Sequence, residues 1–257
     1  MKPLFSLITC SLNTEKYIRR CIISVKAQKY HNYEHILIDG ESTDDTLKII
    51  KDFKRKRKTK IRVYSIPAKG ISNAFNYGIE RARGKYLYFL NSDDSLYDEK
   101  VLTDAATFLG KNQEIDWIYG KIRVVEDNLN ILGTFPDWKV FQKKNNNLLK
   151  YVNYIPHQAA FVQRKVFNKF GKFDESLKVN MDVEFWLRIF RKTEYKFFDR
   201  IIADYTIRSD SATSSKEKRL RNIKYLELVQ KRYLGNTEMI LARVVNRFVD
   251  RINKTYR

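Results

Sequence analysis

The sequence predicts an α/β fold, a mainly parallel sheet flanked by helices. Over the first ninety residues, apolar side chains alternate between short β-type runs and helical spacing. Parallel neighbours need such helical crossovers to connect them. Polar clusters follow directly after three of the runs, at the strand ends where an open α/β sheet binds its ligands. The 257 residues suffice for one large domain or one domain with a tail. With 43% apolar and 31% charged residues the composition is globular, which excludes fibres and disorder.

Residues 4–9 read as the first strand. Their apolar patch is assigned to the sheet and not to a cleaved leader, because Asn13, Glu15 and Lys16 interrupt it. Tyr17, Ile18, Cys21, Ile22 and Val25 fall at helical spacing, and residues 34–39 form a second strand ending on a carboxylate. Residues 46–53 are helical, with Ser42 and Asp45 as an N-cap signature. An extended run at 61–65 is followed by a helix over 71–82, which Gly84 is placed to stop, and by a strand over 85–90. From residue 115 the pattern changes to runs at 116–119, 122–125 and 131–135 around a turn at 127–130, read as antiparallel strands. Two basic helices follow at 216–233 and 237–252.

Cys10 and Cys21 have no metal-type spacing, and two thiols cannot build a disulfide framework, so a reducing cytoplasm is the expected compartment. No run approaches the ~18 to 20 uncharged residues of a bilayer-spanning helix. The formal charge of +20 attracts phosphates, whether of nucleic acid, anionic lipid or a nucleotide. Zinc-finger spacing, an RNP-type string, a P-loop and a dinucleotide fingerprint are all missing from the sequence.

The chemistry is expected at the three strand ends. Thr9, Ser11, Leu12 and Asn13 follow the first, Asp39 closes the second, and Asn91, Ser92, Asp93 and Asp94 follow the fourth. Adjacent carboxylates at Asp93 and Asp94 favour a neutralising cation. Hard oxygen ligands favour Mg2+ or Mn2+, and magnesium typically takes one or two carboxylates together with substrate phosphates. The same residues also suit a helix cap beside an exposed acid. Asp39 suits contact with a nucleotide base or a ribose hydroxyl.

Together these residues resemble the inverting, nucleotide-sugar-dependent glycosyltransferases of family 2, with the GT-A fold, a Rossmann-like mixed, mainly parallel sheet. The resemblance runs from about residue 4 to residue 208. It rests on motifs in order: Leu12 with Asn13, Gln28 with Tyr30, the 39–44 stretch, Lys69 with Gly70 and Ile71, Asn76 with Gly78 and Ile79, Gly84 with Tyr86, and the 91–94 stretch. Residues 156–160, 171–175 and 181–188 continue it. The resemblance implies a donor-binding half over 1–95, an acceptor and catalytic half of the same domain over 96–210, and a basic helical extension over 211–257.

It also implies roles. Asp94 would hold a metal that bridges the donor diphosphate, Asp93 would contact ribose or metal water, and Asp39 the base. Thr9, Ser11, Leu12, Asn13, Lys69 and Asn73 would complete the donor site. Asp182 matches the general base that takes the acceptor proton, although its place at the start of a helix is also where the dipole favours an acid. His157 and Arg208 are candidates for the acceptor or the phosphates. The implied activity moves a hexosyl or N-acetylhexosaminyl group from a nucleoside-diphosphate sugar, UDP type favoured, to a saccharide or lipid-linked saccharide, in cell-surface polysaccharide or glycolipid assembly. Three positions depart from the family pattern: Leu12 replaces an aromatic residue, Phe75 stands where some members have arginine, and Arg208 sits near a common histidine.

Residues 216–257 hold twelve Lys or Arg against four Asp or Glu, with apolar faces that include Met239, Ile240, Val244 and Val245. They are expected to pack on the core or lie on an anionic membrane surface, making the enzyme peripheral at the inner face of the membrane. A second basic run, 51–60, reads as a solvated helix end and loop. Nucleic-acid binding is the main alternative to an enzyme, but acids clustered at the strand ends would repel phosphates, so no nucleic-acid partner is expected. Metal-dependent nucleotidyl transfer is the second enzymatic reading.

Overall fold

The computed structural model describes residues 2–55, 60–137, 139, 146–208 and 216–255. Residues 56–59 of the basic run, and 209–215 around the expected boundary between 96–210 and 211–257, lie outside the described residues. The strands are β1 Phe5–Ser11, β2 Tyr33–Asp39, β3 Ile61–Ser65, β4 Tyr86–Phe89, β5 Ser95–Leu96, β6 Trp117–Glu126, β7 Ile131–Phe135, β8 Ala160–Gln163 and β9 Tyr195–Ile207. The helices are α1 Glu15–Lys26, α2 Thr46–Arg55, α3 Ile71–Arg81, α4 Val101–Lys111, α5 Asn146–Leu149, α6 Arg164–Phe170, α7 Met181–Ile189, α8 Lys216–Lys231 and α9 Asn236–Thr255.

Among the described residues the strands form one nine-stranded sheet, ordered β3-β2-β1-β4-β8-β6-β9-β5, with β7 paired to β6. The first four are parallel, β8 runs antiparallel to both β4 and β6, and β9 runs parallel to β6. The sheet is thus mixed and mainly parallel in its first half, as its crossovers demanded. The separate runs expected at 116–119 and 122–125 are one strand, β6, whose register against β9 shifts on either side of Lys121. Such an irregularity bends a strand without ending it.

Strand β1 shows why both faces must be covered. Phe5 and Leu7 pack with Cys21 and Val25 of α1, while Ile8 packs with Phe75 and Ile79 of α3. Each of these β1 side chains is fully buried, which stabilises the fold by roughly 1.5–3 kcal/mol per residue. Gly84 does not stop α3. Helix α3 already ends at Ala82, which is extended, and Gly84 serves close approach instead: a Cβ there would lie 2.6 Å from the backbone nitrogen of Ser6. The expected cap of α2 also changes, because Asp44 accepts from the Thr46 N–H at 2.9 Å while Ser42 is engaged elsewhere. No helix among the described residues is long and apolar enough to cross a membrane.

Interior to the sheet, His35 of β2 contacts the Thr9 hydroxyl at 3.0 Å through Nε2. Burial pushes its imidazole down to about 3, against ~6.5 in an unfolded chain. The folded state therefore keeps His35 neutral where the unfolded state binds a proton. Its stabilising effect is complete above about pH 6.5 and declines as pH falls toward 3, by up to ~1.4 kcal/mol per pH unit. Urea unfolding of wild type and His35→Gln should show wild type losing stability relative to the variant at about that rate between about pH 6 and 5. A pH-independent difference would refute it.

Candidate active site

The order β2-β1-β4 sets the ends of three parallel strands side by side. Ser11 and Asp39 are register partners on β1 and β2. Asp39 is fully buried: its Oδ1 accepts from Ser11 Oγ at 3.2 Å and Ser42 Oγ at 2.6 Å, and its Oδ2 from the Ser42 N–H at 2.9 Å. Asn13 adopts the left-handed conformation, φ 50°, which Asn tolerates better than most residues. There its Oδ1 accepts from the Thr43 N–H at 2.9 Å. Asp39 and Asn13 thus close the 40–45 loop. Beside them Leu12 is 49% exposed, and a Cβ on Gly40 would lie 3.4 Å from both Leu12 and Ala68. This leaves an apolar wall at the strand ends.

The two acids after β4 differ in burial, and the difference falls on Asp94. Asp94, expected to hold metal, is fully buried. Its Oδ1 accepts from the Thr206 N–H at 2.9 Å, and its Oδ2 from Asn91 Nδ2 at 3.1 Å and Gln158 Nε2 at 3.2 Å. Burial first, and the neighbouring Asp93 second, push the Asp94 carboxyl well above the usual range. Asp93 keeps a partly open side chain, 22% accessible, with Arg208 Nη1 3.4 Å from its Oδ2. Arg208 also lies over the Tyr17 ring, 5.0 Å from its centroid, and the Tyr17 hydroxyl donates to Asp127 at 2.9 Å.

On the far side of the acids, Asp182 lies in the first turn of α7 behind Asn180, another left-handed residue, φ 59°. His157, in a 3-10 turn before β8, bridges Asp182 and Asn91. Its Nδ1 is 3.4 Å from Asp182 Oδ2 and its Nε2 is 3.4 Å from Asn91 Oδ1. Phe75 packs edge-on against the imidazole, with ring centroids 6.2 Å apart. The structure therefore joins Asp182, His157, Asn91 and the acid pair in one contiguous cluster.

Other expected residues are placed differently. Thr9, expected to contact the donor, is fully buried against His35 and Cys21, because β1 continues two residues beyond it and Ser11 takes the strand end. Lys69 is exposed immediately before Gly70, the N-cap of α3, where the positive end of the helix dipole adds to its charge. Asn73 donates to Glu175 Oε2 at 2.9 Å. Hydrogen bonds from Asn76 and Asn73 hold the Glu175 carboxyl below its ordinary value.

Sequence reasoning missed Arg20, Gln158 and Thr206 as site residues. Arg20 of α1 donates through Nη2 to the Asp93 carbonyl and to Thr206 Oγ1, each at 2.6 Å, and its buried Nε has no partner among the described residues. Gln158 stood inside the 156–160 motif, which was a signal; nothing local marked Arg20 or Thr206.

Among the described residues there is no group of three or more His, Cys, Asp or Glu side chains able to hold a metal. Magnesium bound through one or two carboxylates plus substrate phosphates needs no such cage. The partly open Asp93 fits that kind of ligation; the enclosed Asp94 does not.

The glycosyl transferase family 2 model matches residues 6–171, and the chain belongs to that family. A PGL/p-HBAD biosynthesis glycosyltransferase of Mycobacterium bovis is 30% identical over 205 residues, covering 79% of this chain and 77% of its own. The solved structure of S. aureus TarS 1-349 with UDP-GlcNAc superposes with a TM-score of 0.70 at 22% identity, covering 89% of this chain and 66% of that one. The mannosyltransferase PcManGT of Pyrobaculum calidifontis, solved with GDP-Man and Mn2+, gives 0.69 at 13% identity, covering 89% and 63%. The fold is GT-A. The family decides between the readings left open by the charge: the protein is a glycosyltransferase.

Proposed function

We propose that the protein is an inverting glycosyltransferase that moves a hexosyl or N-acetylhexosaminyl group from a UDP-type sugar to the hydroxyl of a saccharide or lipid-linked saccharide. The observation that carries this is the chain of contacts from Asp182 through His157 and Asn91 to Asp94, with Asp93 next to it in sequence, at the carboxyl edge of the parallel strands. The relation to a PGL/p-HBAD biosynthesis enzyme supports a glycolipid acceptor. Residues 1–95 supply the donor side and 96–210 the acceptor side and the base.

In this reading the nucleotide base lies against Leu12, Gly40 and Ala68, with Asp39 beneath, while Ser11 and Asn13 hold the loop that shapes the pocket. Lys69 and the start of α3 face the diphosphate, with Asn73 released from Glu175 to join them. Asp93 would hold Mg2+ or Mn2+, which supplies Lewis-acid stabilisation of the leaving diphosphate when bound. Asp94 and Arg20 fix the Asp93 backbone beside Thr206. Asp182 takes the proton of the acceptor hydroxyl as that oxygen bonds to the anomeric carbon. The bond from that carbon to the diphosphate oxygen breaks, its electron pair leaves with the nucleotide, and configuration inverts. His157, against Asp182, orients the carboxylate, and Arg208 faces the charge at Asp93.

A thermal-shift panel of nucleoside diphosphates and sugar nucleotides, with and without manganese, tests the donor side. A ligand that binds only the folded state raises apparent stability, by ~2.7 kcal/mol at a hundredfold excess over its Kd. UDP with manganese should give the largest shift. A panel in which no nucleotide shifts the transition would remove the proposal.

A further inference from the structure

Helices α8 and α9 carry an apolar and basic outer surface that glycosyl transfer does not itself explain. Helix α9 buries Met239, Ala242 and Asn246, and Asn246 Nδ2 donates to Gln230 Oε1 of α8 at 2.9 Å. On its other side, Ile240 at 64% and Val244 at 61% are the most exposed large apolar side chains among the described residues. They stand four positions apart, so they form one stripe. Leu241 is exposed beside them, as are Arg243 and Arg247. Helix α8 adds charge more than apolar surface: exposed Leu220 and Leu228 stand eight positions apart with exposed Lys224 between them, and Arg221 and Lys231 are exposed beside them. Among the described acids of these helices, Glu227 pairs with Arg243 at 3.6 Å and Glu238 with Lys150 at 2.5 Å, and Glu217 is exposed.

We infer that the outer faces of α8 and α9 dock the protein on an anionic lipid bilayer. Apolar stripes edged by Lys and Arg settle at the boundary of headgroups and acyl chains, drawn by burial and by the negative surface. A second copy of the same face would set cation against cation. A nucleic acid would engage the charge and leave the Ile, Val and Leu stripe in water. The surface is also fastened to the active site: Asn180 Nδ2, at the start of α7, donates to the Asn222 carbonyl of α8 at 3.1 Å, and the Tyr233 hydroxyl after α8 donates to Glu184 of α7. Docking would therefore fix the orientation of the helix that carries Asp182 relative to the membrane.

Vesicle flotation of the full chain tests this separately from nucleotide binding. Expected is binding to vesicles of phosphatidylcholine with about 30% phosphatidylglycerol and none to phosphatidylcholine alone, weakened tenfold or more by about 0.5 M salt. The double variant Ile240→Asn, Val244→Asn should lose at least about tenfold in vesicle affinity. Arg243→Gln and Arg247→Gln should lose about fivefold each. Unchanged circular dichroism and nucleotide-induced thermal shifts would show that these variants remain folded. Equal affinity for both vesicle types, no affinity for either, or full retention by the folded double variant would overturn the inference. So would a dimer in sedimentation that the double variant abolishes, since it assigns the face to a second copy.

Discussion

Asp182→Asn should lower the rate of sugar transfer by ~10² to 10⁴, the usual contribution of a positioned carboxylate base, while leaving the manganese-dependent UDP thermal shift of wild type intact. The variant is nearly isosteric and removes only the charge. Its partner His157 lies 3.4 Å away, so the amide can still meet the ring. Because the loss belongs to the chemical step, it should appear in kcat at saturating donor and acceptor and not merely as a higher KM. Turnover at the wild-type rate would dismiss Asp182 as the base and leave its place in the first turn of α7 as a helix-dipole effect.

The second large effect separates the two adjacent acids. Asp93→Asn should remove the part of the UDP shift that depends on manganese and reduce transfer by about a hundredfold or more, with little change in the stability of the unliganded protein. Asp94→Asn should do the reverse in kind. Its carboxylate accepts from Thr206, Asn91 and Gln158, and an amide NH₂ turned toward those donors leaves buried groups unpaired, at ~1–3 kcal/mol apiece. Chemical unfolding and metal-dependent binding on both variants decide the matter. If Asp94→Asn alone abolishes the manganese effect in a protein of wild-type stability, the assignment of Asp93 is wrong.

These two acids also show how far local pattern reaches. That β1 through β4 are parallel followed from alternation alone, since each strand-to-helix step is read within a short window. That acids crowd the strand ends was equally plain in the residue string. Which acid stays accessible was not, because Asp94 is enclosed by Gln158 and Thr206, 64 and 112 residues further along the chain. Arg20 escaped notice for the same reason: its acceptors are the carbonyl of Asp93 and the hydroxyl of Thr206, and a helix-surface arginine carries no sign of such distant partners. Thr9 turns on the length of β1: the apolar run alone ends at residue 9, and the two further strand residues place its side chain in the core. Helix α4 drew no expectation, and neither did the thirteen-residue β9. Lys196, Asp199 and Arg200 obscure the apolar rhythm of that strand, whose pairing partner β6 is irregular around Lys121.

The course of β9 bears on how such enzymes can be recombined. Its residue Thr206 supplies a backbone donor to Asp94, 112 residues earlier in the chain, so the acid motif of the donor half is completed by a strand from well beyond it. A hybrid that joins the first ninety-odd residues of this protein to the remainder of a relative inherits that requirement. Its success will depend less on where the seam is cut than on whether the incoming strand can present an amide at that one spot.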